Sequence, residues 1–264
     1  MGTIEIIDYW LKKLNRSKRV YVYLPQGYKW DIVLYPILIM HDGHNLFNKE
    51  TSVFGLTWKI QETLDKIEAT TGKNMIVVGI ESPSIKRFDE YSPWPAKNIL
   101  NYLEDNNQNI MGGEGEEYVN WIVNELLPSL NQRYKFDNKK IFMAGSSMGG
   151  YISLYCGYNY PDIFKKIGAF SPAFWFNDSD MFTFIKANFN KELGVYLDIG
   201  TQETSNPNKS DFPQIYVNDA RKCKTLLTNL GIKNLMYVED INASHSENAW
   251  AIRFPEFVTW LFKE

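Results

Sequence analysis

Ser147 stands at the centre of Gly145-Ser146-Ser147-Met148-Gly149, a Gly-x-Ser-x-Gly pattern followed at once by Gly150. Three fixed positions arise by accident in roughly one chain of this length in ten, so the pattern carries weight only if its surroundings suit the chemistry. A serine hydroxyl is a weak nucleophile until a base takes its proton, and the base needs an acid to fix its tautomer and stabilise its charged form. Of the three histidines, only His245 follows Ser147, in the stretch Asn242-Ala243-Ser244-His245-Ser246-Glu247-Asn248. Where a serine sits on a sharp strand-to-helix turn of a doubly wound sheet, the chain order is serine, acid, histidine. The acid is then sought in Asp198-Ile199-Gly200-Thr201-Gln202-Glu203. Asp198 falls inside a strand-like apolar run, whereas Glu203 lies past its end, where a side chain reaches a histidine at the sheet edge. We therefore expect Ser147 as nucleophile, His245 as base and Glu203 as acid. Asp198, Asp211 and Asp240 are the remaining candidates, Asp198 being better suited to a structural role.

Those residues need strands to deliver them to one edge. The run 141–144 (Ile-Phe-Met-Ala) reads as a buried strand entering the glycine-flanked turn, with a helix-like segment, 151–158, behind it. Residues 4–14 and 19–24 read as two further strands, the second rich in alternating β-formers and ended by Pro25-Gln26-Gly27, as in the antiparallel opening of a sheet. The segments 35–40 (YPILIM) and 75–80 (MIVVGI) are continuously apolar, the mark of strands covered on both faces. Between them 57–69 has helical periodicity through Ile60, Leu64 and Ile67, closed by Gly72. After the turn come strands at 167–171, 195–199 and 234–238, a helix at 217–229 closed by Gly231, and a last helix at 250–262. A further helix, 116–127, should end near Pro128. Strands alternating with helices imply an α/β chain built on a central, mostly parallel sheet with antiparallel N-terminal strands and helices on both faces. With no linker and no internal repeat, 1–264 reads as a single domain.

The rhythm breaks over 81–115, which holds Pro83, Pro93, Pro95, the aromatics Phe88, Tyr91, Trp94 and Tyr102, and a polar run at 104–109. A loop of this length in a compact domain is usually functional, and its aromatics argue against disorder, so it is expected on the substrate side. Phe54, Trp58, Tyr91, Trp94, Phe174, Trp175 and Trp250 are candidates to line an acyl or aryl pocket, each with hydrophobic core as the plainer alternative. Arg87 is a candidate to hold an anionic group of the substrate, or else a neighbouring acid. A tetrahedral intermediate also needs two backbone donors. One is the amide of Met148, after the nucleophile, and the other should come from the loop His41-Asp42-Gly43-His44, where Gly43 lets the backbone turn inwards. His41 and His44 are three apart around Asp42, but no third ligand stands near, so no metal and no cofactor is expected. Met111-Gly112-Gly113-Glu114-Gly115 lacks the strand before it and the Lys-Ser/Thr ending of a phosphate loop, and Glu114, Glu116 and Glu117 would repel phosphate.

Composition bounds the partners. There are 28 Lys and Arg against 31 Asp and Glu, giving a net charge of −3 with no block of like charge, so nucleic acid is not expected to bind. Cys156 and Cys223 are too few for a disulfide framework and lack CxxC spacing, which points to a reducing compartment. The N-terminus lacks a basic start, apolar core and cleavage site, and no apolar run is long enough to span a bilayer. A soluble, cytoplasmic protein without membrane insertion is expected, its oligomeric state open and a homo-oligomer compatible with it.

HDGHNLFN after YPILIM, the GSSMGG turn, DIGTQE, and a His245 loop with Glu247 and Trp250 before the closing helix together resemble the putative esterase family of α/β-hydrolases. That family includes carbohydrate esterase family 1 feruloyl and acetylxylan esterases, enterochelin esterases, esterase D and the mycolyltransferases. The resemblance runs in matching order from about Arg19 to Leu261. It implies the α/β-hydrolase fold, Ser147, Glu203 and His245 as the triad, and the amides of Met148 and His44 as the oxyanion hole. Family members commonly have Gln where His44 stands, which leaves a backbone donor untouched but changes what the side chain offers. The expected substrate is a small acyl or carbohydrate-linked ester of acetyl or feruloyl type. Cleavage of an enterochelin-type siderophore trilactone and acyl transfer on the same fold are the rivals.

Overall fold

The computed structural model describes residues 1–30, 32–82, 84–96, 99, 102–103 and 110–263; Pro83 and the polar run 104–109 lie outside the described residues. The chain opens with β1 (Thr3–Leu11) and β2 (Arg16–Leu24), which pair antiparallel through the turn at Asn15. Next come β3 (Tyr35–His41), a 3-10 turn at Gly43–Asn45, α1 (Ile60–Thr71) and β4 (Ile76–Ile80). Gly72 caps α1 in the left-handed region, φ 67°, where a glycine is free of Cβ strain.

Among its described residues, the 81–115 stretch carries little regular structure. It forms a 3-10 turn at Ser84–Lys86, a four-residue helix, α2 (Arg87–Glu90), and an isolated bridge between Ala96 and Met111. The next helix does not end before Pro128. α3 (Gly115–Trp121) passes into a π turn (Ile122–Leu126) and on into α4 (Leu127–Arg133), with Pro128 in the first turn of α4. A proline breaks a continuous helix, but the register change at the π turn makes this position a helix start, where its missing N–H and fixed φ are tolerated.

β5 (Phe136–Ser146) leads into α5 (Met148–Asn159), and β6 (Phe164–Phe170) is followed by a 3-10 turn at Phe174–Phe176 and α6 (Asp178–Ala187). β7 (Gly194–Gly200), α7 (Phe212–Asn229), β8 (Leu235–Asp240) and α8 (Glu247–Leu261) complete the chain. The sheet order is β1-β2-β4-β3-β5-β6-β7-β8. β2 pairs antiparallel with β4, and every pairing from β4 to β8 is parallel. β3 and β4 are buried over nearly their full length, as their apolar runs require, and β7 is buried throughout although it carries Asp198.

The order reverses between β3 and β5: the chain leaves β3 for β4 on one side and later returns as β5 on the other. Such a switch point opens a crevice at the carboxyl ends of the strands. The His41–Asn45 loop and the Ser147 turn therefore stand side by side. Cys156 and Cys223 are both buried and unpaired. Among the described residues, no helix is long and apolar enough to cross a membrane.

Candidate active site

Ser147 joins β5 to α5 with φ 57° and ψ −123°, a strained geometry for a residue with a side chain. The turn survives because its amide donates to Phe170 O (2.9 Å) while its carbonyl accepts from Tyr151 N (3.0 Å) and Ala173 N (3.1 Å). It also needs Gly145, where a Cβ would lie 2.7 Å from the Gly149 carbonyl carbon and force strand and helix apart. Met148 begins α5, so its amide is one of the N-terminal groups with no intrahelical acceptor.

His245 lies in the loop between β8 and α8, and Glu203 lies three residues beyond β7. The two loops are laced together by Gln202 N to Ala243 O (3.0 Å), Thr201 N to Asp240 O (3.0 Å) and Asn242 N to Thr201 Oγ1 (2.8 Å). That brings His245 Nδ1 to 2.8 Å from Glu203 Oε2. The imidazole is held between the Tyr216 ring (centroids 5.0 Å, planes 39° apart) and the edge of Trp250 (5.0 Å, 85°). Glu203 is fully buried, and its Oε1 accepts from Gly200 N (2.7 Å), Ser171 Oγ (2.5 Å) and Arg253 Nη2 (3.4 Å).

Asp198 takes a different place. It is fully buried below Glu203, bonded by Arg253 Nε (2.8 Å), Ser171 N (3.0 Å) and the Tyr196 phenol (3.0 Å). Burial pushes its carboxyl up to about 6; Arg253 opposes that rise and the Glu203 charge adds to it. Asp240 pairs with Arg253 Nη1 at 3.2 Å, and Asp211 is exposed at the start of α7. Of the four carboxylates, Glu203 is the one bonded to His245.

The loop after β3 departs from the expected reason for its shape. The left-handed residue is Asp42 (φ 55°), not Gly43. Gly43 is required for space: a Cβ there would lie 2.4 Å from the Gly79 carbonyl of β4. His41 is buried with Nδ1 2.9 Å from the Tyr118 hydroxyl, and burial lowers its pKa to about 3, so the ring is neutral. His44 is partly buried in the 3-10 turn, and Asn45 Nδ2 donates to Glu247 Oε1 at 3.2 Å.

Several pocket candidates are committed elsewhere. Arg87 forks onto Asp42, with Nε–Oδ1 2.9 Å and Nη2–Oδ2 2.8 Å, so its partner is a neighbouring acid of the protein itself. Tyr91 is buried with its phenol on Asp42. Trp58 stacks on Trp250 (5.6 Å, 27°) in the core, while the Trp250 indole donates to Ser171 Oγ at 2.9 Å. Trp175 and Phe174 are buried, and Trp94 packs edge-on against Tyr155. Phe54 is 73% exposed. Sequence reasoning passed over Arg253, Ser171 and Tyr216. A signal existed for Arg253: it follows Trp250 by three residues, which puts a charge on the buried face of the closing helix.

A sheet of this order, with a strained serine after its central strand and a histidine loop after its last, is that of an α/β-hydrolase. The chain belongs to the family described as "Putative esterase", which matches residues 12–261, and it is an esterase. It is 27% identical over 189 residues to the uncharacterised protein YbbA of Bacillus subtilis (strain 168), covering 71% of this chain and 69% of that one. It is 24% identical over 180 residues to the ferri-bacillibactin esterase BesA of the same strain, covering 64% and 60%. The solved structure of the BES protein from Bacillus cereus matches with a TM-score of 0.77 at 17% identity, over 99% of this chain and 95% of that one, a likeness of fold.

Proposed function

We propose that the chain is a serine carboxylic-ester hydrolase with Ser147 as nucleophile, His245 as base, Glu203 as acid and the amides of Met148 and His44 as oxyanion hole. The observation that carries this reading is the 2.8 Å contact of His245 Nδ1 with buried Glu203, in loops at the carboxyl ends of the parallel strands, the same sheet edge as the strained Ser147 turn. Glu203 holds the proton on Nδ1, which leaves Nε2 with a lone pair for the Ser147 hydroxyl. Ser147 Oγ attacks the ester carbonyl as Nε2 takes its proton. The tetrahedral oxyanion meets the two amides, and its collapse expels the alcohol with the proton that His245 returns. Water then attacks the acyl-enzyme with His245 as base, releasing the acid and restoring Ser147.

The substrates proposed are small acyl or carbohydrate-linked esters of acetyl or feruloyl type, taken up by one domain spanning 1–264, with the 81–115 segment read as its substrate-side loop. Neutralisation of Arg87 by Asp42 supports a substrate without strong negative charge. A second reading, siderophore lactone cleavage, is favoured by the likeness to BesA. Two buried free thiols fit a reducing, cytoplasmic setting. A panel of acetyl, butyryl, feruloyl and trilactone esters, run with the wild type and Ser147→Ala, tests both. Ser147→Ala should abolish turnover of every ester with the fold intact, and retention of most activity would refute the mechanism.

A further inference from the structure

The loop carrying the His44 amide is gripped from the segment between β4 and α3. Asp42, only 6% exposed, holds a left-handed conformation that a non-glycine residue keeps only when its surroundings impose it. Arg87 occupies both of its carboxylate oxygens. The Tyr91 phenol accepts from the Asp42 amide at 3.1 Å and lies 3.3 Å from Oδ1. Arg87 Nη2 also reaches Ser146 O, at 3.4 Å, in the turn that presents Ser147 and Met148. One guanidinium thus touches both of the segments that carry the proposed oxyanion-hole amides.

Its own footing is rigid. Glu90, at the other end of α2, is fully buried and receives Lys18 Nζ and Arg16 Nη1 (2.9 Å) from β2. Arg16 in turn forks onto Glu114, ahead of α3 (2.5 and 2.9 Å). Four residues of helix therefore connect the antiparallel side of the sheet to Asp42.

We infer that Arg87 is a positioning residue for the oxyanion hole, clamping Asp42 in its left-handed conformation so that the His44 amide is fixed beside that of Met148. This rests on the triad reading above. Hole donors act only when they lie within about 3 Å of the developing oxyanion, so a small relaxation of Asp42 weakens transition-state binding more than substrate binding. Lysine cannot replace the fork, because it is a point charge without bidentate geometry. The clamp makes the 81–115 segment part of the reaction apparatus in a way that does not require contact with substrate.

The test compares the wild type with Arg87→Gln, Arg87→Lys and Tyr91→Phe in three measurements. These are p-nitrophenyl acetate kinetics across pH, inhibition by phenylboronic acid, whose serine adduct is tetrahedral and anionic, and thermal unfolding. Fluorophosphonate labelling of Ser147 in the wild type is run alongside. Both Arg87 variants should lose kcat by about 10²-fold with KM within about threefold, and boronate affinity should fall in parallel while the pH profile stays in place. Tyr91→Phe should lose about two- to tenfold in both readouts. A folded Arg87→Gln with wild-type kcat and boronate affinity overturns the clamp, as does a loss of kcat with boronate affinity intact. If neither Arg87 variant folds, Tyr91→Phe decides by the same two readouts. Failure of the wild type to label at Ser147 overturns the triad and the clamp together, whereas a labelled wild type with unaffected variants overturns the clamp alone.

Discussion

Replacing Glu203 by glutamine separates the two carboxylates that follow β7. Oε1 of Glu203 accepts from Gly200 N, Ser171 Oγ and Arg253 Nη2, so the amide oxygen of a glutamine must stay on that side. Its NH2 group then faces His245 Nδ1, now at 2.8 Å from Oε2. A donor there requires Nδ1 to be the acceptor, which puts the ring proton on Nε2 and leaves no lone pair for Ser147. The expected loss in kcat is about 10³- to 10⁴-fold, or about 4–5.5 kcal/mol of transition-state stabilisation. Stability should change by less than about 2 kcal/mol: a buried charge disappears, and Arg253 keeps Asp198 at 2.8 Å and Asp240 at 3.2 Å. Loss of the Glu203 charge also removes one influence that raises the Asp198 carboxyl. Asp198→Asn is the comparator. It weakens the Arg253 and Ser171 bonds, costs about 1–3 kcal/mol, and leaves kcat of the folded enzyme within about tenfold. Single-turnover acylation with p-nitrophenyl acetate and urea denaturation measure the two effects separately. An Asp198→Asn enzyme that lost more kcat than Glu203→Gln would move the acid to Asp198 and refute the assignment.

Two further outcomes follow from the β3 loop. Gly43→Ala should cost about 1–3 kcal/mol and about 10²-fold or more in kcat/KM, because β4 cannot retreat from the new Cβ: Gly79 is paired on both sides, to Tyr21 and to Met40. A variant with wild-type kinetics and melting temperature would contradict the close approach. Burial raises the Asp42 carboxyl, but Arg87 outweighs it, and the net shift is below the ordinary 3.8. Since the folded state then holds this proton more weakly than the unfolded state, the pair stabilises the fold above pH 3.8 and loses that contribution as pH falls through and below it. The stability gap between the wild type and Arg87→Gln in urea should therefore shrink between pH 5 and pH 3, and a gap constant over that range would refute the pairing energetics.

Features written in short windows are legible in the sequence. Unbroken apolar runs marked β3 and β4 as buried strands, since only strands covered on both faces tolerate apolar residues at every position. The glycine-flanked serine behind an apolar run marked the turn after β5, and the uniqueness of His245 and the place of Glu203 past a strand end singled out two residues that the fold brings to 2.8 Å. The helix through Pro128 was not legible, because a rare π turn shifts the register just ahead of the proline and turns a helix-breaking position into a helix start. Nor were the partners of Arg87 and Arg253. Arg87 lies 45 positions from Asp42, and Arg253 lies 55 from Asp198. Which distant acid neutralises a buried guanidinium depends on which strands become neighbours, whereas the strands, the serine turn and the candidate reacting side chains are readable from short stretches of sequence. The tertiary structure alone decided what holds them, because a charge withdrawn from water must find its counter-charge in the surrounding fold.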